Sequence, residues 1–173
     1  PLLLNSIALK EKLQLHVDKR YTVELAMRYQ NPSIKSVLEK IRQQRPEKIH
    51  ILPLYPQYAS SSTGSTIEEV LKQIKGWEVI PNLNIISKFY DHPKFLEALL
   101  IEAKNHNIND YDHVIFSYHG LPERHIRKVS EHYGGNSCKL GSCCDSITKD
   151  NQYCYRANCF ETSRFLIKAS TSF

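Results

Sequence analysis

The five cysteines fall in one stretch, Cys138, Cys143, Cys144, Cys154 and Cys159, spaced C-x4-C-C-x9-C-x4-C. The surrounding residues are rich in Gly, Asn and Ser and carry no apolar period, so the stretch has little core of its own and needs a staple. Nothing marks the chain as secreted, which disfavours disulfides, and clustered thiolates in a reducing compartment are better read as a metal site. Zinc and an iron–sulfur cluster both accept four Cys, and the lack of a C-x2-C pair makes zinc the less favoured of the two. The plainer alternative is a patch of free thiols. Adjacent Cys143 and Cys144 also raise thiol redox chemistry, against which stands the absence of C-x-x-C.

A second locus is Val114-Ile115-Phe116-Ser117-Tyr118-His119-Gly120-Leu121-Pro122. The apolar, β-branched and aromatic run predicts a buried strand, stopped by Gly120 and Pro122. His119 would then stand at the carboxyl end of that strand, where open α/β sheets bind ligands. An imidazole there can move a proton or offer a lone pair to a metal; more plainly, it can hydrogen-bond its own loop. A third locus is Pro53 to Ser65, with a stiff entry of prolines and tyrosines and an exit rich in hydroxyls. It leads into a helix whose free amides could hold an anion, although Ser and Thr are also routine helix caps.

These loci need elements to position them. A helix is expected from Ser6 as N-cap, with Ile7, Leu9, Leu13 and Val17 at its apolar positions, then a strand over Tyr21 to Met27. Ser33 should cap a helix carrying Ile34, Val37, Leu38 and Ile41, followed by a strand at Ile49 to Leu52. A helix over Thr66 to Lys75 buries Ile67, Val70, Leu71 and Ile74, and a strand is expected at Ile85 to Phe89. His92-Pro93 opens a helix with Phe95, Leu96, Leu99, Leu100 and Ala103 inward, His92 acting as cap or surface residue. Ala157 to Lys168 forms the last helix, with Phe160, Phe165, Leu166 and Ile167. Strand and helix units in alternation argue an α/β fold with parallel sheets flanked by helices.

The chain has 173 residues, 41% of them hydrophobic and 24% charged, with a mean hydropathy of -0.43, in the range of soluble globular proteins. No apolar run approaches the ~20 residues of a membrane span, and Pro1-Leu2-Leu3-Leu4 lacks the basic leader of a signal peptide. A cytoplasmic protein is expected. The net charge of +5 favours anionic partners, but the positive residues form no stripe with interleaved aromatics, which disfavours nucleic acid.

Three segments together resemble one family. Ser117-Tyr118-His119-Gly120-Leu121-Pro122 resembles the S-x-H-[GS]-L-P segment of ferrochelatases, lyases that insert ferrous iron into a porphyrin in haem biosynthesis. Pro53-Leu54-Tyr55-Pro56-Gln57-Tyr58-Ala59-Ser60-Ser61-Ser62-Thr63-Gly64-Ser65 resembles the family's P-x-Y-P-Q-Y-S-x-x-T-T-G-S loop. Ala26-Met27-Arg28-Tyr29-Gln30-Asn31-Pro32-Ser33 resembles its A-M-R-Y-x-x-P-x.

The resemblance implies Rossmann-like lobes of the chelatase fold about a porphyrin cleft, one partial (residues 1–54) and one mostly complete (residues 55–173, with a cysteine-rich insertion at 134–159). It implies porphyrin contacts at Tyr58, Ser60, Thr63, Tyr118, Leu121 and Pro122. It implies catalysis at His119, by pyrrole-proton abstraction or by binding the substrate iron. Protoporphyrin IX and coproporphyrin both stay open as substrates. Peripheral membrane contact stays open as well.

Some ferrochelatases carry a [2Fe–2S] cluster, and one bacterial branch holds it in an internal segment whose C-Y-R-A-x-C end is similar to Cys154-Tyr155-Arg156-Ala157-Asn158-Cys159. Ala59 stands where another branch places a cluster cysteine, so that arrangement is not available here. Neighbouring residues do not easily reach one centre together. Four of the five cysteines are therefore expected as ligands: Cys138, Cys154, Cys159 and one of Cys143 or Cys144. The family's glutamate on the opposite wall and its N-terminal propionate contacts have no counterpart in this sequence. The chain is accordingly expected to be the central portion of such an enzyme, a fragment or a split or decayed gene product. The alternative is a non-catalytic fragment that binds an iron–sulfur cluster, another metal or a porphyrin.

Overall fold

The computed structural model describes residues 2–107 and 110–170. The outer limits of the expected lobes, Pro1 and Phe173, lie outside the described residues. Described elements run in the order α1 (Leu2–His16), α2 (Ile34–Gln43), β1 (Lys48–Ile51), a π-helical turn (Ser60–Gly64), α3 (Ser65–Ile74), β2 (Asn82–Ile85), α4 (Pro93–Lys104), α5 (Glu123–His132), a 3-10 turn (Ser142–Cys144) and α6 (Tyr155–Ser170). The class is α/β: among the described residues β1 and β2 form a parallel pair, Lys48 opposite Asn82 through Ile51 opposite Ile85, joined through α3.

The chain divides into two compact units, residues 1–51 with 66–85, and residues 52–65 with 86–173. Residues 66–85, which the sequence assigns to the second lobe, pack with the first unit for a clear reason. Val70 and Ile74 of α3 close a core with Ile34 and Leu38 of α2 and Ile49 of β1, and Leu83 of β2 packs against it. Removing each such side chain from water is worth roughly 1.5–3 kcal/mol, so α3 stays where those partners are. Ser33 caps α2 as expected, its side chain accepting from the Ser36 amide at 3.1 Å.

Several expected elements differ. α1 begins before Ser6, whose hydroxyl donates to the Leu2 carbonyl at 2.9 Å from within the helix, and no described residue of α1 is buried. Tyr21 to Met27 is not a strand: Gln14 Nε2 donates to the Tyr21 carbonyl at 2.9 Å and its Oε1 accepts from the Val23 amide at 2.7 Å, and only Met27 makes an isolated bridge, to Ser33. The second strand is Asn82–Ile85 rather than Ile85 to Phe89, since the Phe89 amide turns to the Pro56 carbonyl at 2.9 Å. Val114 to Phe116 is also no strand. Among the described residues no neighbouring strand offers it hydrogen bonds, and Ile115 is 86% exposed.

In the second unit α4 packs on α6, and His92 caps α4, its Nδ1 accepting from the Lys94 amide at 3.3 Å. α5 follows Pro122 and turns Ile126 and Ser130 inward. The chain leaves it through Gly134 and Gly135: a Cβ on Gly134 would stand 2.4 Å from the Asp150 carbonyl, and Gly135 has φ +56°.

Within the first unit Glu24 is shared by two lysines, Lys10 at 3.1 Å and Lys40 at 2.5 Å. Burial pushes the Glu24 carboxyl up, but hydrogen bonds and charge from Lys40 and Lys10 outweigh it and hold the carboxyl below its ordinary value. A carboxyl lowered on folding contributes stability above the ordinary carboxylate range, and that contribution is lost as pH falls through its folded pKa. Glu24→Gln is therefore expected to lower the unfolding free energy by about 1 kcal/mol at neutral pH, the gap closing in acid. Urea unfolding at several pH values checks this, and a gap that is constant with pH would contradict it.

Candidate functional site

The second unit is built around α6. On one face lie Asn158 and Thr162, which are essentially without solvent exposure (0% and 2%). Asn158 Oδ1 accepts from the Tyr58 amide at 3.4 Å and its Nδ2 donates to the Gln152 carbonyl at 3.2 Å. Thr162 accepts from Gln57 Nε2 at 3.2 Å and donates to the Tyr90 carbonyl at 3.1 Å. Together they pin the loop that carries Tyr58 and Ser60. Beside them on the same helix, Tyr155 and Ser163 hold the segment of His119. The Tyr155 hydroxyl donates to the His119 carbonyl at 2.9 Å, and the hydroxyls of Tyr118 and Ser163 lie 2.9 Å apart. Burial raises the Tyr118 phenol and pushes that of Tyr155 up to about 12, so both stay protonated donors at neutral pH.

His119 itself is exposed, and among the described residues no side-chain hydrogen bond or ion pair reaches its imidazole. It stands at the end of an extended unpaired segment, not of a strand, with its backbone fixed and its ring free.

Ala157 of α6 meets the cysteines. Cys144, Cys154, Ile126 and Ala157 form a buried cluster against which Cys138, Cys143 and Leu121 pack. The Sγ atoms of Cys143 and Cys144 are 3.9 Å apart, so both neighbours reach the same cluster. Asn151 fixes their loop, its Nδ2 donating to the carbonyls of Cys143 at 2.7 Å and Ser146 at 2.8 Å while its Oδ1 accepts from the Thr148 amide at 2.7 Å. Cys159 is buried apart from this cluster, its thiol beside the Tyr155 hydroxyl.

Electrostatics separate the thiols. The Lys139 amide, 3.3 Å from Cys143 Sγ, holds that thiol below its ordinary value. Burial pushes Cys144 up to about 11 although Arg156 Nη1 lies 3.2 Å from its sulfur, raises Cys154, and pushes Cys159 up to about 11. All five are free thiols. Among the described residues no three His, Cys, Asp or Glu side chains are arranged to hold a metal ion as they stand. In kind the donor set nonetheless suits an iron–sulfur cluster: four thiols gathered in one packed cluster, with an amide N–H beside Cys143 and a guanidinium beside Cys144.

A cavity of about 700 Å³ also lies within this unit, and Tyr58 and Ser60 line it. Thr63 does not; it is fully buried and its hydroxyl has no partner among the described residues. Leu121 packs toward the cysteines and Pro122 precedes α5 as its N-cap residue. The structure thus joins Tyr58 with Ser60 in the cavity and holds Tyr118 and His119 against α6. His119, Tyr118, Leu121 and Pro122 are not among the residues lining the cavity. Sequence reasoning missed His125, Lys128, His132, Tyr133 and Tyr153, which do line it. The available signal was Pro122 ahead of Ile126, Val129 and Ser130 at helical spacing.

The family model described as Ferrochelatase matches residues 1–172. The chain belongs to the ferrochelatase family. It is 42% identical over 168 residues to a ferrochelatase of Legionella pneumophila (strain Paris), covering 97% of this chain and 48% of that protein. It is 39% identical over 163 residues to a ferrochelatase of Pseudomonas fluorescens biotype C, covering 91% of this chain and 47% of that protein. It is 35% identical over 175 residues to a ferrochelatase of Coxiella burnetii (strain Dugway 5J108-111), covering 97% and 46%. The chain spans about half the length of these curated relatives, and no helix among its described residues is long and apolar enough to cross a membrane.

Proposed function

We propose that the chain carries the metal-inserting segment of a ferrochelatase, a lyase of haem biosynthesis whose substrates are ferrous iron and a porphyrin, either protoporphyrin IX or coproporphyrin. The observation that carries this reading is the match along residues 1–172, with His119 holding an exposed, unpartnered imidazole on a backbone fixed by Tyr155. Metal insertion requires two pyrrole protons to leave and ferrous iron to shed its water. A neutral imidazole accepts such a proton, or lends its lone pair to the arriving substrate iron. The Tyr155 bond to the His119 carbonyl and the contact of Tyr118 with Ser163 keep the ring's starting position constant, so Tyr118 acts here as a positioning residue. Tyr58 and Ser60 would meet the porphyrin from the cavity wall, and Thr63, Leu121 and Pro122 would shape its surroundings from behind. Five free thiols suit a reducing compartment, which supports the cytoplasm.

The same reading gives the cysteines a resident [2Fe–2S] cluster, with Cys138, Cys143, Cys144 and Cys154 as its donors and Cys159 buried apart from them on α6. When bound, such a group cross-links its loop and makes it sensitive to redox state. Arg156 and the Lys139 amide offset negative charge on sulfur, and Asn151 holds the loop open to the donors. A binding module without catalysis is the second reading, favoured by the cavity and the thiol cluster both lying within one unit and neither being lined by His119.

Anaerobic insertion of ferrous or zinc ion into protoporphyrin and coproporphyrin, read as loss of porphyrin fluorescence, tests the first reading. His119→Ala should reduce the rate by about a hundredfold or more; equal rates in the two proteins would remove catalysis by His119 and leave the binding module. For the thiols, anaerobic loading with iron and sulfide should give charge-transfer absorption that Cys154→Ser loses. Failure of the unaltered chain to load would sink the cluster.

A further inference from the structure

Beyond Tyr58 and Ser60, the cavity has a chemical character that the sequence motifs do not assign. Tyr153 forms its wall, with the ring of Tyr58 edge-on at 5.4 Å and 80° and that of Tyr133 at 4.8 Å and 78°. This wall is braced from behind. Lys88 Nζ lies 4.4 Å over the Tyr153 ring and donates to the Gln152 carbonyl at 2.9 Å, while Gln152 Nε2 donates to the Tyr133 hydroxyl at 3.2 Å. An aromatic surface fixed in this way is pre-organised for a flat, polarisable ligand.

α5 supplies another part of the lining. His125, Lys128 and His132 fall at i, i+3 and i+7, so one face of the helix turns all three toward the cavity. Among the described residues the side chains of Lys128 and His132 make no ion pair or hydrogen bond, whereas Glu123 of the same helix is taken by Arg127 at 3.8 Å. Among the described residues no acidic side chain lines the cavity, and Ser60, Ser61 and Ser87 add hydroxyls to those of the tyrosines. A cavity of about 700 Å³ with a tyrosine wall, an unpaired ammonium at its edge and hydroxyl donors within has the size and composition of a site for a flat aromatic carboxylate.

We propose that Lys128, flanked by His125 and His132, anchors a carboxylate of the porphyrin while the tyrosine wall receives the macrocycle's edge. This rests on the porphyrin reading above and adds a subsite on α5, formed by a helix that the sequence motifs leave out. The hydroxyls of Ser60 and Ser61 complete the carboxylate's hydrogen bonds.

Metal-free protoporphyrin and its dimethyl ester, titrated without iron and followed by porphyrin fluorescence anisotropy, test the subsite. The free acid should bind about tenfold more tightly than the ester, and Lys128→Glu should weaken the acid about tenfold while leaving the ester unchanged. Lys128→Met should fall between. Lys128 is exposed on α5, so thermal unfolding of the variants should match that of the parent. Equal affinity for acid and ester, an unaltered affinity in Lys128→Glu, or no binding of either porphyrin would each overturn the proposal. If acid and ester differ as expected but His119-dependent insertion is absent, the subsite stands and the iron-inserting reading falls. If insertion is present and Lys128→Glu binds like the parent, the subsite alone falls.

Discussion

A fully buried side-chain amide fixes the second unit. Asn158 has no solvent exposure, and an amide taken out of water without partners costs about 1–3 kcal/mol. Its two ends therefore need partners, and they find the Tyr58 amide and the Gln152 carbonyl, from segments far apart in the chain. Thr162, one turn on, repeats the arrangement with Gln57 and Tyr90. A polar stripe on a helix is a poor way to fill a core but a specific one, because it accepts only neighbours with the matching donor or acceptor. The loop of Tyr58 is held in one place for that reason.

Turning α6 about its axis would break every other part of the site at once. Tyr155 and Ser163 hold the segment ending at His119, Arg156 faces the Cys144 sulfur, and Arg164 donates to the Cys144 carbonyl at 2.9 Å. Arg164 is held in turn by Glu161. One helix thus sets the backbone of the His119 segment, a cluster of thiols and a loop lining the cavity, and is itself fixed by hydrogen bonds and by the packing of Ala157 against Ile126, Cys144 and Cys154. Such a scaffold keeps reactive groups in register while leaving the His119 ring exposed to a ligand.

The core of the first unit was legible in the sequence. Ile34, Leu38, Val70 and Ile74 lie at helical spacing and Ile49 in an apolar run, and all of them are in the core. The predicted strand at Val114 failed because an apolar run reports burial preference, not the presence of a neighbouring strand to pair with. At Tyr21 and Val23 the hydrogen bonds come from Gln14, a side chain that no period can announce. His92 as a cap was legible, since a capping side chain ahead of Pro93 is a local event. The roles of Asn158 and Tyr155 were not: each acts through a partner 36 or more positions away in sequence. Cys143 and Cys144 were expected not to reach one centre together, and the 3-10 turn at Ser142–Cys144 places their sulfurs 3.9 Å apart, a local turn that the spacing of the cysteines does not announce.

Hydrogen exchange of the Tyr58 amide in Asn158→Ala tests the organising role of α6 most directly. That amide donates to Asn158 alone among the described residues, so its exchange should quicken by about tenfold or more, with the segment from Gln152 to Cys154 following, while β1 at Lys48–Ile51 keeps the parent's rate. Unchanged exchange at Tyr58, or the same acceleration in β1 as at Tyr58, would contradict the account.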